Sequence, residues 1–467
     1  MKHNKHDRPI AAATDAARRS ACPGLLRVVA ARDGGLCRIR LPGGVLASTE
    51  AHAVAEAARA HASGVIELTN RANVQLRGVR AGHERALGEA LLRAGLGPDT
   101  PAPASGDDES ASTHAEIADD LRNLMLSPLA GSDPGALFDT TTLTAPILHL
   151  LQHEARFAAL SPKFALLADG GERLAALDHP HDIWLAAATH GERLMFMFGL
   201  AGGPGDAALG AIEPQDVPTL LRALLHAFLD LAEAGQRRMR DVRASHGSEA
   251  VLLQAQRYLN FTPTRDEAVR QWRRTPVDTA ARLGTHALRA DGSGYVGAQP
   301  ALGRLDAATL DALASLAQSH GAATLRITPW QGVLLPGVAS HQLAPTLTQL
   351  SALGLITECA APLARLIACA GSEGCAKSRA DTKADALRLA ARLRQNAPAE
   401  AHLSGCERSC AAAHRAAWTL LAVAPDCYDL YARDEAAAGF GRLVAPHLTI
   451  DAAADVLSPR PRSIPNA

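Results

Sequence analysis

The stretch Glu67-Leu-Thr-Asn-Arg71-Ala-Asn-Val-Gln-Leu-Arg-Gly78 returns, altered, as Arg326-Ile-Thr-Pro-Trp330-Gln-Gly-Val-Leu-Leu-Pro-Gly337. Thr69 falls on Thr328, Val74 on Val333, Leu76 on Leu335 and Gly78 on Gly337, at an offset of 259. The offset holds without a gap from position 36 to 96: His61 meets His320, Leu91 meets Leu350, and Gly95-Leu96 meets Gly354-Leu355. A period this long means duplicated domains, not a solenoid.

Each copy reads as a small β-α-β-β-α unit. Cys37-Arg38-Ile39-Arg40-Leu41 alternates apolar and charged residues, as a strand does, and Pro42-Gly43-Gly44 ends it. Ala51, Val54, Ala58 and His61 recur at helical spacing. Val65 to Leu68 and Val74 to Arg77 read as strands around a loop at Thr69–Asn73, and Ala86, Leu87, Ala90 and Leu91 line a second helix. The segments that follow also match: Arg122-Asn-Leu-Met-Leu126 resembles Arg365-Leu-Ile-Ala-Cys369. The expected architecture is therefore an internally duplicated α/β (α+β) fold in four parts. These are a small unit at 21–96, a larger α/β domain at 116–265, a second small unit at 280–355 and a second larger domain at 356–457. Residues 1–20 read as a disordered leader, 97–115 as a flexible Pro/Ser/Asp/Ala-rich connection, and 458–467 as a frayed tail.

Half of the eight cysteines lie in one window as two close pairs, Cys369-x5-Cys375 and Cys406-x3-Cys410. Gly371 and Gly374 allow the first pair to wrap as a loop, and a helical turn would put Cys406 and Cys410 on one face. Four converging thiolates suit an iron–sulfur cluster. Zinc sites usually bring their cysteines at x2 to x4 spacing, and disulfides belong to oxidising compartments; both remain as alternatives. Cys22, Cys37, Cys359 and Cys427 have no such partners and read as buried small apolar residues.

The duplication is also an internal control on charge. Arg38 and Arg40 share one strand face, and Gln75 and Arg77 another, while their counterparts are Gly297, Gln299, Leu334 and Pro336. Arg71 corresponds to Trp330. A merely solvated face should be charged in both copies, so the first half is expected to supply a polyanion site. Lys163, in Pro162-Lys163-Phe164, is a further candidate for it. His149/His153 and His179-Pro-His181-Asp182 are candidate metal-ligand groups, set against ordinary surface histidines. Gly292-Ser-Gly294-Tyr-Val-Gly297 fits a dinucleotide fingerprint but falls at the start of a strand rather than between strand and helix, so no nicotinamide or flavin site is expected there.

The 467 residues are 47% hydrophobic and only 3% aromatic, so the cores must be built from Leu, Val, Ile and Ala. A net charge of −1 gives no electrostatic basis for a general nucleic-acid or membrane-surface partner. Met1 to Ser20 lacks the apolar run of a signal peptide, and no apolar stretch approaches a membrane span. A cytoplasmic protein is expected.

Together, Arg38-Ile-Arg40-Leu-Pro-Gly-Gly44, Leu68-Thr-Asn-Arg71, Arg122-Asn123, Pro162-Lys163-Phe164 and the cysteine spacing resemble the sulfite and nitrite reductase superfamily over nearly the whole chain. The resemblance implies two ferredoxin-like half-domains and two larger α/β domains. It also implies a 4Fe–4S cluster on Cys369, Cys375, Cys406 and Cys410, and a tetrapyrrole cleft drawn from Arg38, Arg40, Arg71, Arg77, Arg122 and Lys163. Ala21-Cys-Pro-Gly-Leu-Leu-Arg27, Asp33-Gly-Gly-Leu36 and the Glu67–Gly78 run look most like the subgroup of precorrin-3B synthases. That subgroup implies an oxygen-dependent monooxygenase acting on precorrin-3A, a separate electron-donating reductase and a mononuclear non-haem iron. Two departures from the reductases bear on this. Ala165 stands where they carry a second lysine, and Arg408 where they usually carry asparagine. A sirohaem-dependent sulfite or nitrite reductase and a non-catalytic iron–sulfur electron carrier are the alternatives.

Overall fold

In the first small unit, β1 (Val29–Ala31) and β2 (Gly34–Ile39) form a hairpin. They are followed by β3 (Val45–Ala47), α1 (Ser48–His61), β4 (Val65–Leu68), β5 (Val74–Val79) and α2 (Glu84–Arg93). These coordinates are a computed structural model that describes residues 22–99, 109–393 and 400–458. The second unit comprises β11 (Gly284–Ala287), β12 (Gly294–Ala298), β13 (Arg304–Asp306), α8 (Ala307–His320), β14 (Thr324–Ile327), β15 (Val333–Val338) and α9 (Leu343–Ala352). From β3 to α2, every element boundary recurs 259 residues later.

The two units exchange a strand, which the sequence pattern does not reveal. The first sheet runs β1-β2-β5-β4-β13 and the second β11-β12-β15-β14-β3. Thus β3 pairs with β14 of the other copy, Ala47 against Thr324, and β13 pairs with β4, Asp306 against Val65. The Pro42-Gly43-Gly44 turn makes the crossing possible. Gly44 has φ +69°, and a Cβ there would stand 2.3 Å from the carbonyl oxygen of Ile327. Only glycine combines that backbone with that approach. Ala51, Val54, Ala58, Leu310, Leu313 and Ala317 join both units in a single apolar core. Each fully buried leucine in it contributes about 1.5–3 kcal/mol.

The first large domain holds α3 (Glu109–Asp120), β6 (Leu124–Leu126), α4 (Thr144–His153), β7 (Leu166–Asp169), β8 (His181–His190), β9 (Arg193–Gly202), β10 (Gly210–Ile212), α5 (Val217–Leu231) and α6 (Met239–Gln256), followed by the short α7 (Glu267–Gln271). The second holds β16 (Leu366–Ala368), α10 (Gly371–Gly374), α11 (Thr382–Arg392), β17 (Ala401–Ser404), β18 (Trp418–Ala424), β19 (Cys427–Ala432), β20 (Arg442–Leu448) and α12 (Ile450–Leu457). Their five-stranded sheets run β10-β9-β8-β7-β6 and β16-β17-β18-β19-β20. In both, the first three strands in chain order are parallel and the last two antiparallel. The large domains are thus a second pair of copies.

Strand pairing corrects the sequence alignment of these copies. Leu124 faces Leu166 and Leu366 faces Ala401, so Leu124 corresponds to Leu366 and Leu126 to Ala368. Matching Leu126 with Cys369 is wrong by one residue, a slip that would reverse the face of every side chain. Helix α3 starts inside 97–115, so that stretch is not wholly a flexible connection. The leader 1–20 and the tail beyond Ser458 lie outside the described residues. No helix among the described residues is long and apolar enough to cross a membrane.

Candidate active-site cleft and cysteine corner

The four cysteines converge at the end of the second large domain. Cys369 leaves β16, and the single turn of α10 brings the chain round to Cys375, whose amide donates to the Gly371 carbonyl at 2.9 Å. Gly371 has φ +72°. Cys406 and Cys410 follow β17 on a non-helical turn with Ser409 at φ +50°, so the expected helical spacing of this pair is not how they meet. The Gly405 amide lies 3.3 Å from Cys369 Sγ, and Thr382 Oγ1 lies 3.4 Å from it. Burial pushes the Cys410 thiol up, and the nearness of Cys406, Cys369 and Cys375 pushes it further. All four are free thiols. A set of thiolates that repel one another and accept amide hydrogen bonds fits a cationic iron–sulfur core. Of the remaining cysteines, Cys22 and Cys37 are buried, while Cys359 and Cys427 are partly exposed rather than buried as expected.

Beside this corner opens a cleft with about 1760 Å³ of empty space, mouth included. Arg38, Arg71, Arg122 and Lys163 line it, together with Arg238, Arg240, Arg408 and Cys410. Burial lowers Arg38 to about 10, and the charge of Arg40 adds to the effect, against the opposing pull of Cys22, Asp120 and Cys410. Burial also lowers Arg71 to about 10, helped by Arg238 and Arg38. Both stay protonated near neutrality, yet the protein leaves them short of negative charge. That is the electrostatic condition of a polyanion site. Arg71 donates to the Lys163 carbonyl at 3.3 Å, and Asn70 reaches the carbonyls of Cys410 and Ala411 at 3.4 and 3.1 Å. The arginine loop is thereby tied to the cysteine corner. Arg38 is held by Gln75 Oε1 at 2.6 Å, and Arg122 donates to the Leu96 carbonyl at 2.6 Å.

Two candidates are not on the cleft. Arg40 is 1% exposed and lies 2.8 Å from both Asp119 and Asp120. Its charge is already neutralised. Arg77 pairs with Asp33 at 2.7 Å and Glu67 at 3.3 Å, and donates to the Gly374 carbonyl at 2.9 Å. It is a brace between the first unit and the cysteine loop, not an anion ligand. Sequence reasoning missed Arg238 and Arg240, although the basic run Arg237-Arg238-Met239-Arg240 signals them. Arg238 meets Asp182 at 2.9 Å.

The histidine candidates separate clearly. His149 and His153 are exposed and stacked at 4.2 Å on α4, with His153 Nδ1 on the His149 carbonyl, an ordinary surface pair. His179 and His181 are buried at the cleft. Asp182 is spent on Arg238 and the amides of Ala165 and Met239. Asp178, His179 and His414 lie together, with potential ligand atoms within 4.8 Å of one another. Burial would raise Asp178, but the hydrogen bond to His179 and the nearness of His414 outweigh it and hold the carboxyl at about 2. Burial lowers His181 to about 3 and His402, beside His414, to about 4.

Comparison with known proteins agrees with this architecture. The nitrite/sulfite reductase ferredoxin-like half-domain matches residues 30–94 and 287–353, and the nitrite and sulphite reductase 4Fe–4S domain matches 117–262. The second match falls on the large-domain copy without cysteines; the four cysteines sit on its duplicate. The ferredoxin–nitrite reductase of Zea mays chloroplasts is 28% identical over 80% of this chain and 67% of its own length. The corresponding spinach enzyme is 27% identical, and the match spans 64% of it, so the chain covers about two thirds of these relatives. A Sinorhizobium precorrin-3B synthase is 28% identical over 88% of this chain and 82% of its own length. The NirA protein of Mycobacterium tuberculosis shares the fold, with a TM-score of 0.72 at 22% identity over 90% of this chain and 79% of that one. With both half-domains and the 4Fe–4S domain in place, this chain belongs to the nitrite and sulfite reductase superfamily and is an oxidoreductase of that family.

Proposed function

We propose that this protein is a precorrin-3B synthase, a monooxygenase that binds a carboxylate-edged tetrapyrrole as substrate. The observation that carries this reading is Ala165 on the cleft wall beside Lys163. The superfamily's reductases use a lysine at that place to hold a small inorganic anion, and a methyl group offers no such charge. The relative lengths agree, since the chain spans more of the Sinorhizobium synthase than of the plant reductases.

In this reading Arg38, Arg71 and Lys163 bind the peripheral carboxylates of precorrin-3A, with Arg238 and Arg408 on the same wall. Charge-assisted hydrogen bonds of this kind contribute about 1.5–3 kcal/mol each. The Asn70 contacts fix the ring's anion sites relative to Cys410, so substrate is oriented by the same loop that borders the cluster. A 4Fe–4S cluster on Cys369, Cys375, Cys406 and Cys410 would supply single-electron transfer at the cleft's edge. The reaction balances as precorrin-3A plus O2, two electrons and two protons giving a product with one added oxygen atom, and water. The electrons come from a separate reductase. Product formed under 18O2 should be heavier by one labelled oxygen; product labelled from H2 18O instead, or none at all, counts against the reading.

A sirohaem-dependent nitrite or sulfite reductase is the second reading. The plant nitrite reductases, similar to this chain at 27–28% identity, favour it, while Arg408, where such reductases usually carry asparagine, weighs against it. An electron carrier would have no need for the arginine cleft.

A further inference from the structure

The geometry points to a mononuclear metal site, formed by Asp178, His179 and His414, that takes one divalent first-row transition-metal ion at the seam between the two large domains. The sequence resemblance implies a mononuclear iron but no ligands for it. Choosing iron as the ion rests on the proposed function; the site itself does not.

Internal symmetry is the first argument. Leu166 pairs with Ile183 in one sheet and Ala401 with Trp418 in the other. The two connecting loops are therefore equal in length, and adding 235 takes Leu166 to Ala401, Ile183 to Trp418 and His179 to His414. The same position of the same loop carries a histidine in both copies. The two rings meet across the pseudo-dyad with centroids 5.6 Å apart.

Geometry is the second. Asp178 Oδ1 lies 3.1 Å from His179 Nδ1, and Asp178 Oδ2 lies 3.6 Å from His414 Nδ1. Nitrogen and oxygen ligands about 2.0–2.2 Å from a common ion stand roughly 3.0–3.5 Å apart. The two histidine nitrogens lie within 4.8 Å of each other, so the rings close on an ion by drawing together.

Unfilled hydrogen-bonding capacity is the third. His414 Nδ1, the ring nitrogen turned toward Asp178, is buried and has no hydrogen-bond partner. Buried polar atoms are normally satisfied. On the far side of its ring, His414 Nε2 meets Glu400 Oε1 at 2.5 Å. A carboxylate on one ring nitrogen fixes the tautomer and leaves the other nitrogen's lone pair for a metal.

Two imidazoles and one carboxylate select iron, cobalt or zinc over calcium or magnesium, and this donor set leaves coordination positions open. Open positions have somewhere to face. His179 lines both the arginine cleft and a neighbouring cavity with about 400 Å³ of empty space, mouth included. That cavity is walled by Trp330, Leu366 and Ile367. These are the counterparts of Arg71, Leu124 and Met125 on the cleft. The site thus lies between the cleft and its reduced image in the second copy, four residues along the chain from Cys410.

The test uses anaerobically purified full-length protein with its cluster intact, treated with chelator and then dialysed against Co(II). Wild type should retain one cobalt per chain with a high-spin Co(II) paramagnetic signal. His179→Ala and His414→Ala should each lower cobalt affinity more than tenfold, and Glu400→Gln about ten- to a hundred-fold. His149→Ala should bind as wild type. Cluster absorption and iron content must match wild type in each variant. If either histidine variant loses its cluster, the half-exposed Asp178→Asn decides by the same criterion. Absence of cobalt in wild type, or cobalt binding at wild-type affinity in these ligand variants, overturns the site without touching the tetrapyrrole assignment.

Discussion

The same corner of the large domain is built twice and closed in two different ways. By the strand register, Cys369 and Cys375 stand where the first copy has Ser127 and Asp133, and Cys406 and Cys410 where it has Gly171 and Ala175. In the first copy the two loops are joined directly. Ser127 Oγ donates to the Leu174 carbonyl at 2.6 Å, and Asp133 accepts from the Arg173 amide at 2.8 Å. In the second copy four thiols face one another instead. One scaffold therefore supports a hydrogen-bonded lock or a corner of four thiols suited to a metal cluster, and the copy without the thiols gives its neighbouring wall to cations.

The largest effect should come from removing a thiolate. Cys369→Ser, Cys375→Ser, Cys406→Ser or Cys410→Ser should each bleach the broad visible absorption and lower bound iron, while Cys427→Ser does neither. Equal cluster loss from Cys427→Ser would break the assignment. Next comes Arg40→Ala, which leaves Asp119 and Asp120 buried without their partner and should cost about 3–5 kcal/mol in denaturant unfolding. Arg71→Ala separates cleft cations from structural ones. It should leave unfolding unchanged and weaken tetrapyrrole binding roughly ten- to a hundred-fold, from a loss of about 1.5–3 kcal/mol. Unchanged binding would mean a solvated face.

The smallest effect probes the first copy's lock. Burial raises Asp133, but the amides of Arg173 and Gly135 and the Arg173 side chain outweigh it and hold the carboxyl below its ordinary range. A carboxyl depressed on folding stabilises at pH values above its unfolded value of about 3.9, and the contribution fades as pH falls through the folded value. Asp133→Asn should cost about 1 kcal/mol at pH 7. The gap from wild type should close below about pH 4. A gap independent of pH would remove the charge from the explanation.

The small units were legible in the sequence because 259 separates every pair of their positions from 36 to 96, and glycines such as Gly78 and Gly337 stand at positive φ in both copies. The exchange of β3 and β13 was not, since a three-residue strand carries no periodicity of its own. The large domains hid their kinship behind a one-residue slip. Four of the six cleft candidates lie on the wall, but the fates of Arg40 and Arg77 depended on distant carboxylates. Asp119 and Asp120 arrive on α3, and Glu67 sits on the neighbouring strand. Nothing local in Arg38-Ile-Arg40 tells which arginine faces out. His179 was visible only as half of a loop motif, because its partner His414 comes from the other copy.

The central claim is that the arginine cleft takes a tetrapyrrole as substrate rather than as resident cofactor. The absorption spectrum of anaerobically purified protein tests it most directly. The account predicts the broad absorption of an iron–sulfur cluster without sirohaem bands, and negligible nitrite or sulfite reduction with a viologen donor. Stoichiometric sirohaem together with turnover of either anion would contradict it.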